Sequence, residues 1–360
     1  MFLIFSFSFI ISVALVFFIR KLALRFKIVD QPTGGRKIHK KPIPLLGGLA
    51  IFLGFFIVLG FLYFLNPDLI VGKNIFFKNL FGLFFGGLIL MIGGFLDDKF
   101  DLKPKFQIVF PILAVIVVIA SGIGIEKINN PFGGYIDFTH YEWILFWHEG
   151  VAYKFTLLAD IFTFIWLMGM MYTTKFLDGL DGLASGITMI GALIIAGLSL
   201  SATWFQPETA VLALILAGAC LGFLIFNWHP AKIFLGEGGS LFCGFMLGSL
   251  AIISGSKIAT TLLVVGIPAF DVLWVILRRI FWEKGSPFKG DAKHLHFRLL
   301  NIGFSHQGAV LFLYFLAIAF GAGALFMQTT SKIIAFFILA VLMIILAAIA
   351  ARQSKIKKKI

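Results

Sequence analysis

Residues 106–125 read FQIVFPILAVIVVIASGIGI, a stretch without a single charge and apolar on every face. About 20 such residues, wound as a helix, cover the roughly 30 Å of a bilayer's hydrocarbon core. A strand crossing lipid would instead alternate apolar and polar residues over about ten positions. Only a helix satisfies this backbone in lipid. The rest of the chain agrees: of 360 residues, 60% are hydrophobic and 13% charged, with a mean hydropathy of +1.02. That balance excludes a soluble globular enzyme, a disordered chain and a water-soluble barrel.

Working outward, breaks of Gly, Pro, Asn and charge separate eleven apolar runs, at 2–19, 44–65, 79–96, 106–125, 155–173, 183–201, 209–227, 241–256, 260–280, 308–327 and 333–350. The expected fold is an all-α, multi-pass membrane bundle of about eleven helices, one domain over 1–360 with a basic tail at 351–360. The charges of the first run (Arg20, Lys21, Arg25, Lys27) follow it, and no small-residue cleavage site is seen. It reads as an uncleaved span with its N-terminus outside. If the loops alternate sides, 24 of the 30 Lys and Arg fall on the side holding 20–43, 97–105, 174–182, 228–240, 278–307 and the tail. The positive-inside rule makes that side, and the C-terminus, cytoplasmic. Most of the net charge of +13 is therefore a topology signal. A basic face also suits anionic lipid or an anionic substrate, and no separate basic module suggests nucleic acid. The outer loop 126–154 suggests a short hairpin or interfacial segment. Cys220 and Cys243 sit in apolar runs and read as packing residues.

The acidic residues cluster on the cytoplasmic side. Asp97, Asp98 and Asp101 stand in GGFLDDKFDLKPK, and Asp178 and Asp181 in KFLDGLDGLASG. Were each segment to continue as helix, Asp97 with Asp101, and Asp178 with Asp181, would share a face and repel. A hard divalent ion bound by carboxylate and phosphate oxygens would offset them; solvated charges at a membrane boundary are the plain alternative. FLGEGGS at 234–240 adds Glu237 among glycines that let a backbone approach phosphate, or else forms a helix entry capped by Ser240. In DAKHLHFRLL, His294, His296 and Arg298 alternate, so an extended stretch would aim all three one way, toward a phosphate or sugar hydroxyl. A basic loop on lipid headgroups is the alternative there. GGRKIHKKPIPLLGG carries Arg36, Lys37, His39, Lys40 and Lys41 as a basic rim. Asp271, within a span, should face the bundle interior and hold a basic loop residue.

In this order, GGRKIHKKPIPLLGG, DDKFD, KFLDGLDGLASG, FLGEGGS, PAFDVLWVILRR and DAKHLHFRLL resemble the polyprenyl-phosphate N-acetylhexosamine-1-phosphate transferases over about residues 30 to 310. HLHFRLL is closer to the WecA/TagO branch than to MraY, although Phe297 replaces a histidine. The resemblance implies ten or eleven spans in a bacterial inner membrane and a cytoplasmic active site dependent on Mg2+, with Mn2+ as a substitute. It implies transfer of a HexNAc-1-phosphate, GlcNAc-1-phosphate for preference, from a UDP-sugar to polyprenyl (undecaprenyl) phosphate with release of UMP. This step starts a cell-envelope polysaccharide, and a homodimer is compatible with it. The other readings are the MurNAc-pentapeptide reaction and a membrane transporter.

By this resemblance Asp97 and Asp98 orient or deprotonate the lipid phosphate, Asp178 and Asp181 organise the metal-diphosphate site, and Glu237 binds Mg2+. His294, His296, Arg298 and Lys105 contact the sugar diphosphate. Two further motifs depart from the pattern. Tyr172 and Lys175 stand where the family has N-x-x-N, and Glu237 stands where it has Asp. Lysine cannot ligate a metal as an ammonium; the expectation is that Lys175 contacts diphosphate directly.

Overall fold

Apolar segments too long for any loop in lipid close their hydrogen bonds within themselves, and each of the eleven runs is helical in the computed structural model. The structure describes residues 1–32, 41–130, 133–148, 151–202, 205–255, 258–281 and 294–357. The helices are α1 (Phe2–Arg25), α2 (Gly47–Leu65), α3 (Phe77–Phe100), α4 (Pro104–Gln107), α5 (Val109–Ala120), α6 (Leu157–Leu177), α7 (Leu183–Ser199), α8 (Pro207–Asn227), α9 (Gly236–Ile253), α10 (Ile258–Phe281), α11 (Leu295–Ile302), α12 (His306–Phe326) and α13 (Thr329–Lys357). Three antiparallel pairs join them: β1 (Val29–Asp30) with β2 (Ile43–Pro44), β3 (Lys127–Asn129) with β4 (Tyr135–Asp137), and β5 (Glu142–His148) with β6 (Val151–Thr156). The expected hairpin of the outer loop is thus two hairpins. The second is closed by a Lys154–Glu142 ion pair at 2.8 Å, with Trp143 stacked on Phe155.

Among the described residues, eight helices are long and apolar enough to cross a membrane, and α10, bent next to Pro268, makes a ninth if its halves are one span. The runs at 106–125 and 183–201 give shorter apolar helices, Pro104–Ala120 and Leu183–Ser199. Proline opens the first of these, and α4 and α5 meet at Ile108.

Helix α9 lies at the centre, packed against α2, α3, α6, α7, α8 and α10, and most of its side chains are buried. Lipid tails are as apolar as leucine, so close backbone approach and interhelical hydrogen bonds drive this packing. At two positions glycine is indispensable: a Cβ on Gly48 would lie 2.0 Å from Gly239 Cα, and one on Gly94 would lie 2.1 Å from the Gly238 nitrogen. These contacts bring α2 and the end of α3 against the first turn of α9. Ser8 and Ser12 of α1 donate to the Ile215 and Ala219 carbonyls of α8, each at 2.7 Å. Cys220 and Cys243 are buried and free, as expected of packing residues.

Candidate functional site

The first turn of α9 is fixed before its side chains are considered. The Gly47 and Gly48 amides opening α2 donate to the Phe234 and Leu235 carbonyls at 2.9 and 2.7 Å, and Phe234 N–H donates to Pro44 O at 2.8 Å. On the other side, Thr174 Oγ1 of α6 donates to Ser240 O at 2.8 Å. Glu237 and Lys175 therefore project from elements whose backbones are locked together.

Asp98, in the last turn of α3, accepts the Glu237 amide on Oδ1 at 3.1 Å, a favourable place for a carboxylate because a helix N-terminus carries partial positive charge. Gly236 is left-handed there (φ 78°), and a Cβ on it would lie 2.5 Å from Asp98 Oδ2. The Lys175 ammonium forms an ion pair with Glu237 Oε1, approaches Gln107 Oε1 at 3.4 Å, and stands 5.6 Å from the Tyr172 ring centre. Asp178, just past α6, shares this charged surrounding. Burial first, then the negative charges of Glu237, Asp181 and Asp98, push its carboxyl up to about 7. Asp98, Asp178, Glu237 and Lys175 are thus one electrostatic unit at one end of the bundle.

Asp97 plays a different part: its Oδ1 accepts Leu102 N–H and Gln107 Nε2, both at 2.9 Å, tying the end of α3 to α4. The supposed helical pairings do not form. Asp101 caps α3 in the left-handed region (φ 50°), and α6 stops at Leu177, so Asp178 and Asp181 occupy a turn rather than one helical face. Asp181 Oδ2 is 2.7 Å from His229 Nδ1 and accepts Ala231 N–H at 3.1 Å, while its own N–H donates to His306 Nε2 at 3.0 Å. His229 and His306 meet at 2.8 Å.

The extended arrangement expected for His294, His296 and Arg298 is corrected. His294 is the N-cap of α11 and the next eight residues are helical, so the three do not share a strand face. His294 Nδ1 instead meets Asp271 Oδ2 at 2.8 Å, with Leu295 N–H on Asp271 Oδ1 at 2.9 Å. Asp271 does hold a basic loop residue, as its place within a span suggested. The His294 ring stacks on Phe176 and lies parallel to His296. His296 is buried with its Nε2 against Gly179, where a Cβ would lie 2.2 Å away. Burial, then neighbouring His294, hold its pKa down at about 3, so its ring is neutral. Arg298 lies partly exposed on α11. Lys105 is exposed, its ammonium 5.0 Å from the Phe106 ring centre. Of the basic rim, Lys41 is exposed, and Arg36, Lys37, His39 and Lys40 lie outside the described residues.

Two donor sets suit a cation. The carboxylates of Asp98, Asp178 and Glu237 offer the hard oxygens a magnesium-like ion prefers, with Glu237 Oε1 held by the Lys175 ammonium. Asp181, His229 and His306 offer one oxygen and two nitrogens within 4.8 Å of one another, a set softer in character. Gln107, His229 and His306 were not found from the sequence. Each is an isolated polar residue in its own segment, and only the WHPAK and FSHQG contexts, a histidine beside Pro230 and one behind Ser305, hinted at ordered turns.

A helical membrane bundle with buried carboxylates, an ammonium and imidazoles gathered at one end defines a membrane protein equipped for phosphate chemistry. Comparison with known proteins gives the family. The glycosyl transferase family 4 model matches residues 80–255. A probable undecaprenyl-phosphate N-acetylglucosaminyl 1-phosphate transferase of Bacillus subtilis is 31% identical over 98% of this chain and 93% of its own length. A decaprenyl-phosphate N-acetylglucosaminephosphotransferase of Mycolicibacterium smegmatis is 33% identical over 85% of this chain and 77% of its own. A phospho-N-acetylmuramoyl-pentapeptide-transferase of Moorella thermoacetica is 36% identical, over only 51% of this chain and 55% of its own. The chain belongs to glycosyl transferase family 4, among the polyprenyl-phosphate N-acetylhexosamine-1-phosphate transferases.

Proposed function

We propose that this protein transfers GlcNAc-1-phosphate from UDP-GlcNAc to polyprenyl phosphate and releases UMP. The observation that carries the reading is the joining of Asp98, Asp178, Glu237 and Lys175 into one site at the end of α3, α6 and α9, in a chain that aligns nearly end to end with a relative named for this activity. An oxygen of the lipid phosphate attacks the phosphorus bearing the sugar, a new P–O bond forms, and the P–O bond to UMP breaks. Two anions must meet for this to happen, so the site must supply positive charge and hold both in line.

Asp98 is placed to orient the lipid phosphate, being fixed on the α9 amide while facing the site. Mg2+ held by Glu237, with Asp178 beside it, would neutralise and polarise the diphosphate. His294, steered by Asp271, and neutral His296 line the flank where the sugar would sit, with Arg298 further along α11. Asp97 and Asp181 act on the loops that carry these groups, and Lys105 joins the basic approach. In this reading eleven spans cross a bacterial inner membrane, the N-terminus is outside, and the site and C-terminus are cytoplasmic.

The test is purified protein with Mg2+, undecaprenyl phosphate and either UDP-GlcNAc or UDP-MurNAc-pentapeptide, following UMP and labelled lipid together. Both products appearing with UDP-GlcNAc alone is the expected result. Products with the pentapeptide donor alone would replace this reading with the peptidoglycan reaction, and none with either donor would reject both.

A further inference from the structure

Two of the residues at which the chain departs from its family's pattern, Lys175 and Glu237, touch each other. We infer that Lys175 is a tethered cation that competes with the divalent ion for Glu237 and, once the ion holds Glu237, carries its charge to the donor's diphosphate. This rests on the site proposed above.

The pair is not a chance meeting of surface chains. Their side chains are only 20% and 16% exposed. Lys175 follows Thr174, whose hydroxyl is bonded to Ser240 three residues beyond Glu237. Gly244, one turn further along α9, packs so tightly that a Cβ would lie 2.3 Å from Thr174 Oγ1 and 2.4 Å from Met170 O. Neither backbone can withdraw. The extra methylene of Glu237 relative to aspartate and the long stem of Lys175 are what let the two charges meet across this fixed gap.

Charge balance gives the pair its consequence. Asp98, Asp178 and Glu237 would bring three negative charges when ionised, and Lys175 returns one. A divalent ion supplies two more, and with Asp97 adding its charge beside Asp98 and Glu237, removing either cation leaves the site further negative. Without Lys175 the ion would meet less competition and bind more tightly, yet the ion-loaded site would keep a net negative charge and repel a diphosphate. One substitution should therefore move two affinities in opposite directions, which a merely structural role for Lys175 would not do.

The experiment uses the full chain in detergent. Mn2+ binding is followed by loss of the free-ion EPR signal, and UDP binding by calorimetry, each with wild type, Lys175→Met, Lys175→Gln and Lys175→Arg. Removing one neighbouring charge in a partly buried site changes affinity by about tenfold. Lys175→Met and Lys175→Gln should each tighten Mn2+ about tenfold and weaken UDP measured with Mn2+ by a similar factor. Lys175→Arg, which keeps the charge, should stay near wild type for Mn2+. Mn2+ affinity unchanged or weaker in whichever neutral variant folds would overturn the inference. Mn2+ shifts as stated in a protein that never binds UDP would instead reject the transferase reading and leave the competition for Glu237 standing.

Discussion

Two acid-base clusters begin three residues apart in the turn after α6, and they are neutralised in opposite ways. Asp178 belongs to a group of three carboxylates facing one ammonium. Asp181 belongs to a group of one carboxylate and two imidazoles, knitted to two backbone amides. The first has more carboxylates than cations, its one ammonium being taken by Glu237 Oε1. The second holds Asp181 within the chain, with His229 Nδ1 donating to its carboxylate and therefore not accepting from His306. Unspent charge marks a place that needs a ligand, whereas Asp181, already held by His229 and the Ala231 amide, closes a loop and would have to release that hold for its three donors to take a cation.

The sharpest way to break this contrast is to neutralise the under-compensated group. Asp98→Asn or Glu237→Gln should lower UMP release by about 100-fold or more, the scale of losing a transition-state electrostatic partner, while the melting temperature in detergent changes little. Near-normal turnover in both would refute the site. In the closed cluster the balance should reverse. His229→Ala leaves the Asp181 carboxylate short of a partner and should cost about 1–3 kcal/mol of stability, as for an unmet buried polar group, read as a fall in melting temperature larger than for either carboxylate variant.

A smaller effect separates binding from chemistry. Asp271→Asn weakens the hold on His294, and the KM for the UDP-sugar should rise by about tenfold, the worth of a charge-assisted hydrogen bond, with kcat less affected. The smallest is a pH dependence. With Asp178 pushed up to about 7, the folded protein keeps a proton that the unfolded chain releases near 4. The stability of cation-free protein therefore falls as pH rises from about 4 to about 7. Asp178→Asn should flatten that decline in melting temperature, and an unchanged slope would place the carboxylate in water.

Legibility from sequence followed the range of the interactions involved. The apolar helices were readable because each depends on its own twenty residues and on lipid outside them: all eleven runs are helical, and among the described residues eight helices are long and apolar enough to cross a membrane, with α10 a ninth if its bent halves are one span. Glu237 and Asp98 could be singled out because carboxylates among glycines at helix ends are conspicuous. The face assignments were less secure. Counting i, i+3 and i, i+4 presumed a helix where α6 had already ended, and alternation at 294–298 presumed a strand where an N-cap began a helix. Asp271 was assigned an interior role from the cost of a carboxylate in lipid, but its partner His294 lies 23 residues on and had to be seen.

The sequence by itself determined that this is a helical membrane protein and which acidic residues cluster at the ends of its apolar segments. Those properties follow from composition over one span and from charge at its ends. Only the tertiary structure decided that Lys175 faces Glu237, that Asp98 sits on the α9 amide, and that Asp181 is claimed by His229 and His306. Each pairing joins residues 48 to 139 positions apart, and glycine-to-glycine approach of α3 to α9 brings Asp98 to the Glu237 amide. Local spacing carries no record of which distant backbone will come that close.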